Sequence, residues 1–108
     1  MNEKEYNGWT NYETWAVKLW IDNEQGSQEG WCAQARECWK EAKADKICTR
    51  EQRARYDLAD ALEYHYEDST PEGVEGTVYG DLLGAALSEV NWDEIAQSLI
   101  DDAEVCTT

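Results

Sequence analysis

Few side chains here are of the kinds that do covalent chemistry, and their spacing gives them no partners for it. His65 is the single histidine, set between Tyr64 and Tyr66. One imidazole works as a general base only within reach of a nucleophile or a reacting group, and between two tyrosines on a helix its plainer role is a satisfied surface or half-buried ring. Four cysteines, Cys32, Cys38, Cys48 and Cys106, raise the alternatives of a metal site and a disulfide frame. No C-x-x-C pair exists, and six residues of helix turn Cys32 and Cys38 to different faces. Without a sign of export the thiols are expected to be reduced, three of them small and mostly buried and one in the tail. The oxygen-rich segment from Asp22 to Gly26 is too short for a calcium loop and lacks its terminal Glu. No glycine-rich phosphate loop occurs either. We therefore expect no enzyme, no catalytic residue, no metal ligand and no cofactor.

What remains is carboxylate. The chain carries 24 acids against 9 bases, a net charge of −15, and the imbalance is uneven. Residues 27–48 hold four acids and four bases, whereas residues 69–108 hold nine acids and no base. Attraction to nucleic-acid phosphate comes from Lys and Arg displacing counterions, so direct nucleic-acid binding is excluded and a basic protein is the natural complement. The candidate binding residues are Asp81, Glu89, Asp93, Glu94, Asp101, Asp102 and Glu104. Duplex DNA carries about one charge per 1.7 Å of axis. At about 1.5 Å per helical residue, the five acids from Asp93 to Glu104 span roughly 17 Å, about half that density. Asp81 and Glu89 raise it, which is compatible with a mimic of nucleic acid that engages a host nucleic-acid-binding or defence protein. The alternative is a small structural or housekeeping protein whose acidity serves only solubility. Homo-oligomerisation through spare Trp surface is open under both.

The elements that must carry these acids read as helices. Around Trp9 to Gly26, Thr10 and Glu13 form a capping box, Gly26 supplies a left-handed stop, and Tyr12, Trp15, Ala16, Leu19 and Trp20 share one face widened by Val17 and Ile21. This aromatic helix is expected at the centre of the core. Ser27 is placed to cap a second helix with a stripe of Trp31, Ala35, Cys38, Trp39 and Ala42, its solvent side carrying Arg36, Lys40 and Lys43 against Glu37, Glu41 and Glu29. Thr49 and Gln52 box the start of a third helix that reaches about Asp68 and turns Tyr56, Ala59, Leu62 and Tyr66 inward, flanked by Leu58 and Ala61. Residues 69–77, S-T-P-E-G-V-E-G-T, hold the only Pro and read as the main loop.

From Val78 to Val90, Tyr79, Leu82, Leu83, Ala86, Leu87 and Val90 again recur at helical spacing. Gly80 and Gly84 interrupt it at about 1 kcal/mol each relative to Ala, which close packing would explain; a short strand at 76–79 is the alternative. The last helix opens on an Asn91–Glu94 box with Val90 stapled to Ile95, and points Trp92, Ile95, Ala96, Leu99 and Ala103 inward. Every periodic segment has period 3.6. The expected fold is all-α, a compact bundle of four to five short helices in a single domain over residues 1–108. No apolar run approaches the roughly 20 residues of a membrane span, and the start M-N-E-K-E-Y is unlike a signal peptide, so the expected location is cytoplasmic.

Two stretches, T-N-Y-E-T-W with L-W-I-D-N-E-Q-G-S after it and S-E-V-N-W-D-E-I-A near the other end, resemble a family of small uncharacterised proteins found in phages and other mobile elements as well as their hosts. Together they cover about a quarter of the chain. Gly30 stands where that family has Tyr. The resemblance implies a mobile-element setting and a helical fold, and assigns no catalytic residue.

The cysteine reading has a direct test. Denaturing mass spectrometry is expected to give the mass of the fully reduced chain, and native spectra to add no zinc; a bridge or a stoichiometric metal would show the spacing to be misread.

Overall fold

The computed structural model describes residues 6–103; Glu104 and Cys106 lie outside them. Five helices follow one another and no strand forms among the described residues: α1 (Tyr12–Asn23), α2 (Gln25–Glu41), α3 (Arg50–Asp68), α4 (Val78–Ser88) and α5 (Trp92–Ala103). The architecture is the all-α bundle that period-3.6 patterning predicts.

The core forms where α2, α3 and α5 pack on one another, with α1 laid along α2 and α5. At its centre is α5, the most cleanly amphipathic helix of the five. Ile95, Ala96, Leu99 and Ile100 are fully enclosed, against Ala54, Leu58 and Leu62 of α3, Ala35 of α2 and Ile21 of α1. Burying each large aliphatic side chain contributes about 1.5 to 3 kcal/mol gross. The expected inward set of α5 is present, extended by Ile100.

The central role expected of α1 is corrected. Its buried positions are Thr14, Lys18 and Ile21, continuing from Asn11 at the cap, while Tyr12 and Trp20 are 54% and 65% exposed. Trp15 is half-buried on the flank, where Tyr6 and Tyr12 pack over it with ring centroids 4.8 Å and 5.5 Å away. Tyr6 is brought there by a tight Asn7–Gly8 turn in which both residues have positive φ, as a two-residue reversal favours. Hydrophobic periodicity misses this orientation because the stripe that α1 buries is largely polar.

Several boundaries move for local reasons. Asn11, rather than Thr10, caps α1 by accepting from the Thr14 N–H at 2.9 Å. Gly26 is no stop: Glu24 alone, in extended geometry, separates α1 from α2, and Gly26 and Ser27 lie inside α2. The predicted stripe of α2 is in place, with Ala35, Cys38 and Ala42 buried and Trp31 and Trp39 packed against the core. Cys32 joins it. The Thr49–Gln52 box is complete, Gln52 N–H donating to Thr49 Oγ1 and Thr49 N–H to Gln52 Oε1. The inner face of α3 is rotated from expectation: Ala54, Leu58, Ala59 and Leu62 are buried, Tyr56 is exposed, and Tyr66 is half-buried and stacked on Trp92.

Helix α4 departs furthest, since none of its residues is buried. The expected inner stripe is split. Leu83 and Leu87 turn with Gly80 and Gly84 toward Glu67 and Thr70 at the end of α3, leaving Tyr79 and Leu82 outside. Gly80 is required, because a Cβ there would collide with the Val74 carbonyl of the incoming loop; Gly84 meets nothing. The close neighbour is therefore loop backbone and not another helix.

The reversed face of α1 is testable by contrast. Ile21→Ala should cost about 2 to 5 kcal/mol by opening a cavity, whereas Trp20→Ala should change stability by about 0.5 kcal/mol or less. Urea titrations of the two variants check this, and a larger loss from Trp20→Ala would restore the sequence-based face.

Candidate functional site

The acidic candidates sit on two helices whose position is set by a polar joint between the starts of α1 and α5. Each start needs partners for its first N–H groups; Asn11 and Asn91 supply one locally, and each helix also accepts from a backbone N–H at the entry to the other. Asn11 Oδ1 accepts from the Thr14 N–H and from Thr14 Oγ1, while Asn11 Nδ2 donates to the Glu89 carbonyl at 2.6 Å. Thr14 Oγ1 in turn accepts from the Asn91 N–H at 2.9 Å. Asn91 Oδ1 accepts from the Glu94 N–H, and its Nδ2 donates to Thr10 Oγ1. Glu94, expected to close a box on Asn91, instead accepts from the Thr10 N–H at 3.0 Å. One half of the predicted box is local and the other half crosses to α1.

Further along the same seam lies Lys18. Its ammonium is buried and donates to both oxygens of Asp22, at 2.8 Å and 2.9 Å, and to Asp102 at 3.1 Å. Burial would lower its pKa, but the two carboxylates outweigh that, and Lys18 lies above its ordinary 10.5. Sequence reasoning missed this residue. The available signal was a lysine amid apolar neighbours, Val17, Leu19 and Ile21, with an acid four residues on.

The candidates thus divide. Glu94 and Asp102 are held by the fold. Asp101 is exposed and accepts from Gln97, which also donates to Glu51 and accepts from Arg55. Asp81 on α4, Glu89 at its C-terminal end and Asp93 in the first turn of α5 are exposed and have no side-chain partner among the described residues. Glu104 lies outside the described residues. Arg36 and Lys40 on α2 and Lys43 just beyond its end are solvent-facing, and the expected pairs with Glu37, Glu41 and Glu29 do not form. Ion pairs form instead between Lys18 and its two carboxylates and between Arg53 and Asp45.

His65 packs edge-on against Trp31 and Tyr66, with centroids at 5.3 Å and 5.0 Å. Beside it a shallow groove of about 330 Å³ is lined by Gly26, Ser27, Gly30, Trp31 and Gln34. A Cβ at Gly30 would meet nothing within 4 Å, so a larger side chain there would lie over this groove. Cys32 and Cys38 are buried, and burial pushes both thiols above their ordinary 9.0. Among the described residues no cysteine or hydroxyl is hydrogen-bonded to the imidazole, whose contacts are the two rings.

A profile of a family of unknown function, DUF7249, matches residues 2–107. The chain belongs to that family. No curated protein and no solved structure matches it. In this DUF7249 protein the opening part of one stretch that carries the sequence resemblance, residues 10–15, and the other stretch, residues 88–96, meet at the polar joint, while residues 19–27 lie outside it. Their polar residues are thereby given a structural task.

The buried groups fix the response to alkali. An ammonium whose pKa is raised on folding contributes stability that is complete below 10.5 and lost as pH rises through the folded value. Cys32, Cys38 and, through burial, Tyr66 hold their protons more tightly when folded, so they act in the same direction from about pH 9 upward. Urea midpoints should fall between about pH 9 and pH 11. In the double variant Asp22→Asn, Asp102→Asn only the burial effect remains, and NMR titration of the Lys18 Cε resonance should place its pKa below 10.5; an unchanged value would show that the carboxylates do not hold the ammonium.

Proposed function

We propose that this protein is a non-enzymatic binding protein whose acidic C-terminal half engages a basic protein partner. The observation that supports the reading is the charge distribution on the folded chain. After Arg55 there are fourteen Asp and Glu and no Lys or Arg, and Asp81 in the first turn of α4 and Glu89 and Asp93 at the junction of α4 and α5 stand exposed without side-chain partners among the described residues. A surface of one sign steers an oppositely charged partner to it and raises the association rate.

The partner class that fits is a nucleic-acid-binding or defence protein of a host, whose own surface is built to meet phosphate, with the DUF7249 protein acting as inhibitor and carboxylates standing in for phosphates. The resemblance to proteins of phages and mobile elements supports that setting. With Glu94 and Asp102 engaged inside the fold, the α5 line offers fewer free charges than its spacing alone counts. Recognition of a basic patch is thus better supported than imitation of a regular phosphate row.

Capture from a host lysate tests the reading. A partner should be retained at about 0.05 M salt and released at about 0.5 M, where charges beyond a few ångströms are screened. The variant Asp81→Asn, Glu89→Gln, Asp93→Asn should remain folded and bind that partner with a slower association rate and little change in dissociation. Unchanged association kinetics would reduce the acidic face to a solubilising surface.

A further inference from the structure

Helix α4 combines two properties that ordinarily exclude each other: it is the most apolar of the five helices, and it buries no residue. Val78, Tyr79 and Leu82 are 63%, 71% and 62% exposed. Val78 and Leu82 lie one turn apart, Ala85 and Ala86 continue the strip, and Tyr79 widens it. The opposite side, Gly80, Leu83, Gly84 and Leu87, already faces the end of α3. Rotation of the helix would therefore expose one apolar side to cover the other. Exposed apolar strips with polar rims mark interaction surfaces.

The rim identifies the occupant. Asp81 edges the strip, Glu89 lies at its C-terminal end, and Glu72 and Glu75 belong to the loop that leads into it. A second copy in a two-fold dimer would set this patch against itself, bringing these acids together with no Lys or Arg after Arg55 to offset them. An anionic membrane is disfavoured for the same reason. We infer that the outer face of α4 is a docking surface for a basic amphipathic helix of a partner protein, its apolar side seated on Val78, Tyr79 and Leu82 and its Lys or Arg residues meeting Asp81 and Glu89. This rests on the reading that the partner is basic, and adds where it binds and in what conformation. Helices recognised through an apolar stripe with flanking charges are a recurrent mode of association.

The test uses labelled synthetic peptides of about 18 residues, long enough to fold on binding. One has the helical pattern of Leu on one face and Lys on the other. A second replaces Lys by Glu, and a third replaces Leu by Ser. By fluorescence anisotropy the Leu/Lys peptide should bind at least about tenfold more tightly than either control. The variant Val78→Gln, Tyr79→Gln, Leu82→Gln, which keeps good helix formers on exposed positions, should lose about tenfold or more for the Leu/Lys peptide. Its weak binding of the Ser/Lys peptide should not change. On the unsubstituted protein, the peptide should shift the amide resonances of Val78, Tyr79 and Leu82, a readout independent of how the variant folds.

Equal binding of the Leu/Lys and Ser/Lys peptides would leave the basic-partner reading standing and overturn the docking surface. Failure of both Lys peptides would overturn the two together. Equal binding of the Leu/Glu peptide would remove the charge selectivity on which the inference depends. A dimer in sedimentation that the Gln variant dissolves would make the occupant a second copy and overturn the inference.

Discussion

The bundle depends on two helix N-termini that are capped locally by Asn11 and Asn91 and tied to one another by hydrogen bonds at those caps. A buried N–H or hydroxyl without a partner costs about 1 to 3 kcal/mol, and the starts of α1 and α5 together bury Asn11 and Thr14 with the Asn91 backbone close against them. Part of the bonding is local, Asn11 Oδ1 accepting from the Thr14 N–H and hydroxyl, and part crosses between elements: Thr14 Oγ1 bridges Asn11 to Asn91, Asn11 Nδ2 donates to the Glu89 carbonyl, and Glu94 reaches the Thr10 backbone. Such a joint stabilises little beyond what water would supply to the separated helices. Its main effect is to make other registers of α1 against α5 costly, because a shift by one residue would strand several buried groups at once.

Lys18 extends the same constraint along the seam. A buried ammonium is unfavourable unless it is paired and hydrogen-bonded, and its two carboxylates come from different helices, Asp22 from α1 itself and Asp102 from α5. With the joint at one end and Lys18 farther on, α1 is aligned with α5 by directional contacts, and Ile21 closes the apolar contact beyond them. The aromatic residues of α1 are thereby left to the flank and the surface. Charge matters here in both senses: the same segment of α5 supplies a carboxylate that holds the fold together and others that face outward.

That division bears on function. The acids engaged by other parts of the fold, Glu94 and Asp102, are separable from the unengaged ones, of which Asp81 lies in the first turn of α4, the least buried and most apolar helix, and Glu89 and Asp93 where α4 joins α5. Packing of α2, α3 and α5 provides the rigid base. By contrast α4 is anchored on one side by Leu83 and Leu87 and by the approach of the Val74 carbonyl to Gly80. A lightly packed element on a well-packed support is the arrangement expected of a surface that completes its burial on binding.

The amino-acid pattern alone determined the helical class, the cap at Thr49, the inner face of α5 and the concentration of acid after Arg55. These rest on local spacing, local hydrogen bonds and composition, which a chain carries whatever its tertiary arrangement. Which face of α1 and α4 would be buried was decided only by the tertiary structure. Periodicity reports where apolar side chains recur but is blind to a buried stripe of Asn11, Thr14 and Lys18, whose partners lie some eighty positions away. It is equally blind to apolar side chains such as Leu82 that the rest of the chain leaves uncovered. For the same reason the acids read as equivalent in sequence, and only the folded contacts separate Glu94 and Asp102, which satisfy internal donors, from Asp81, Glu89 and Asp93, which do not.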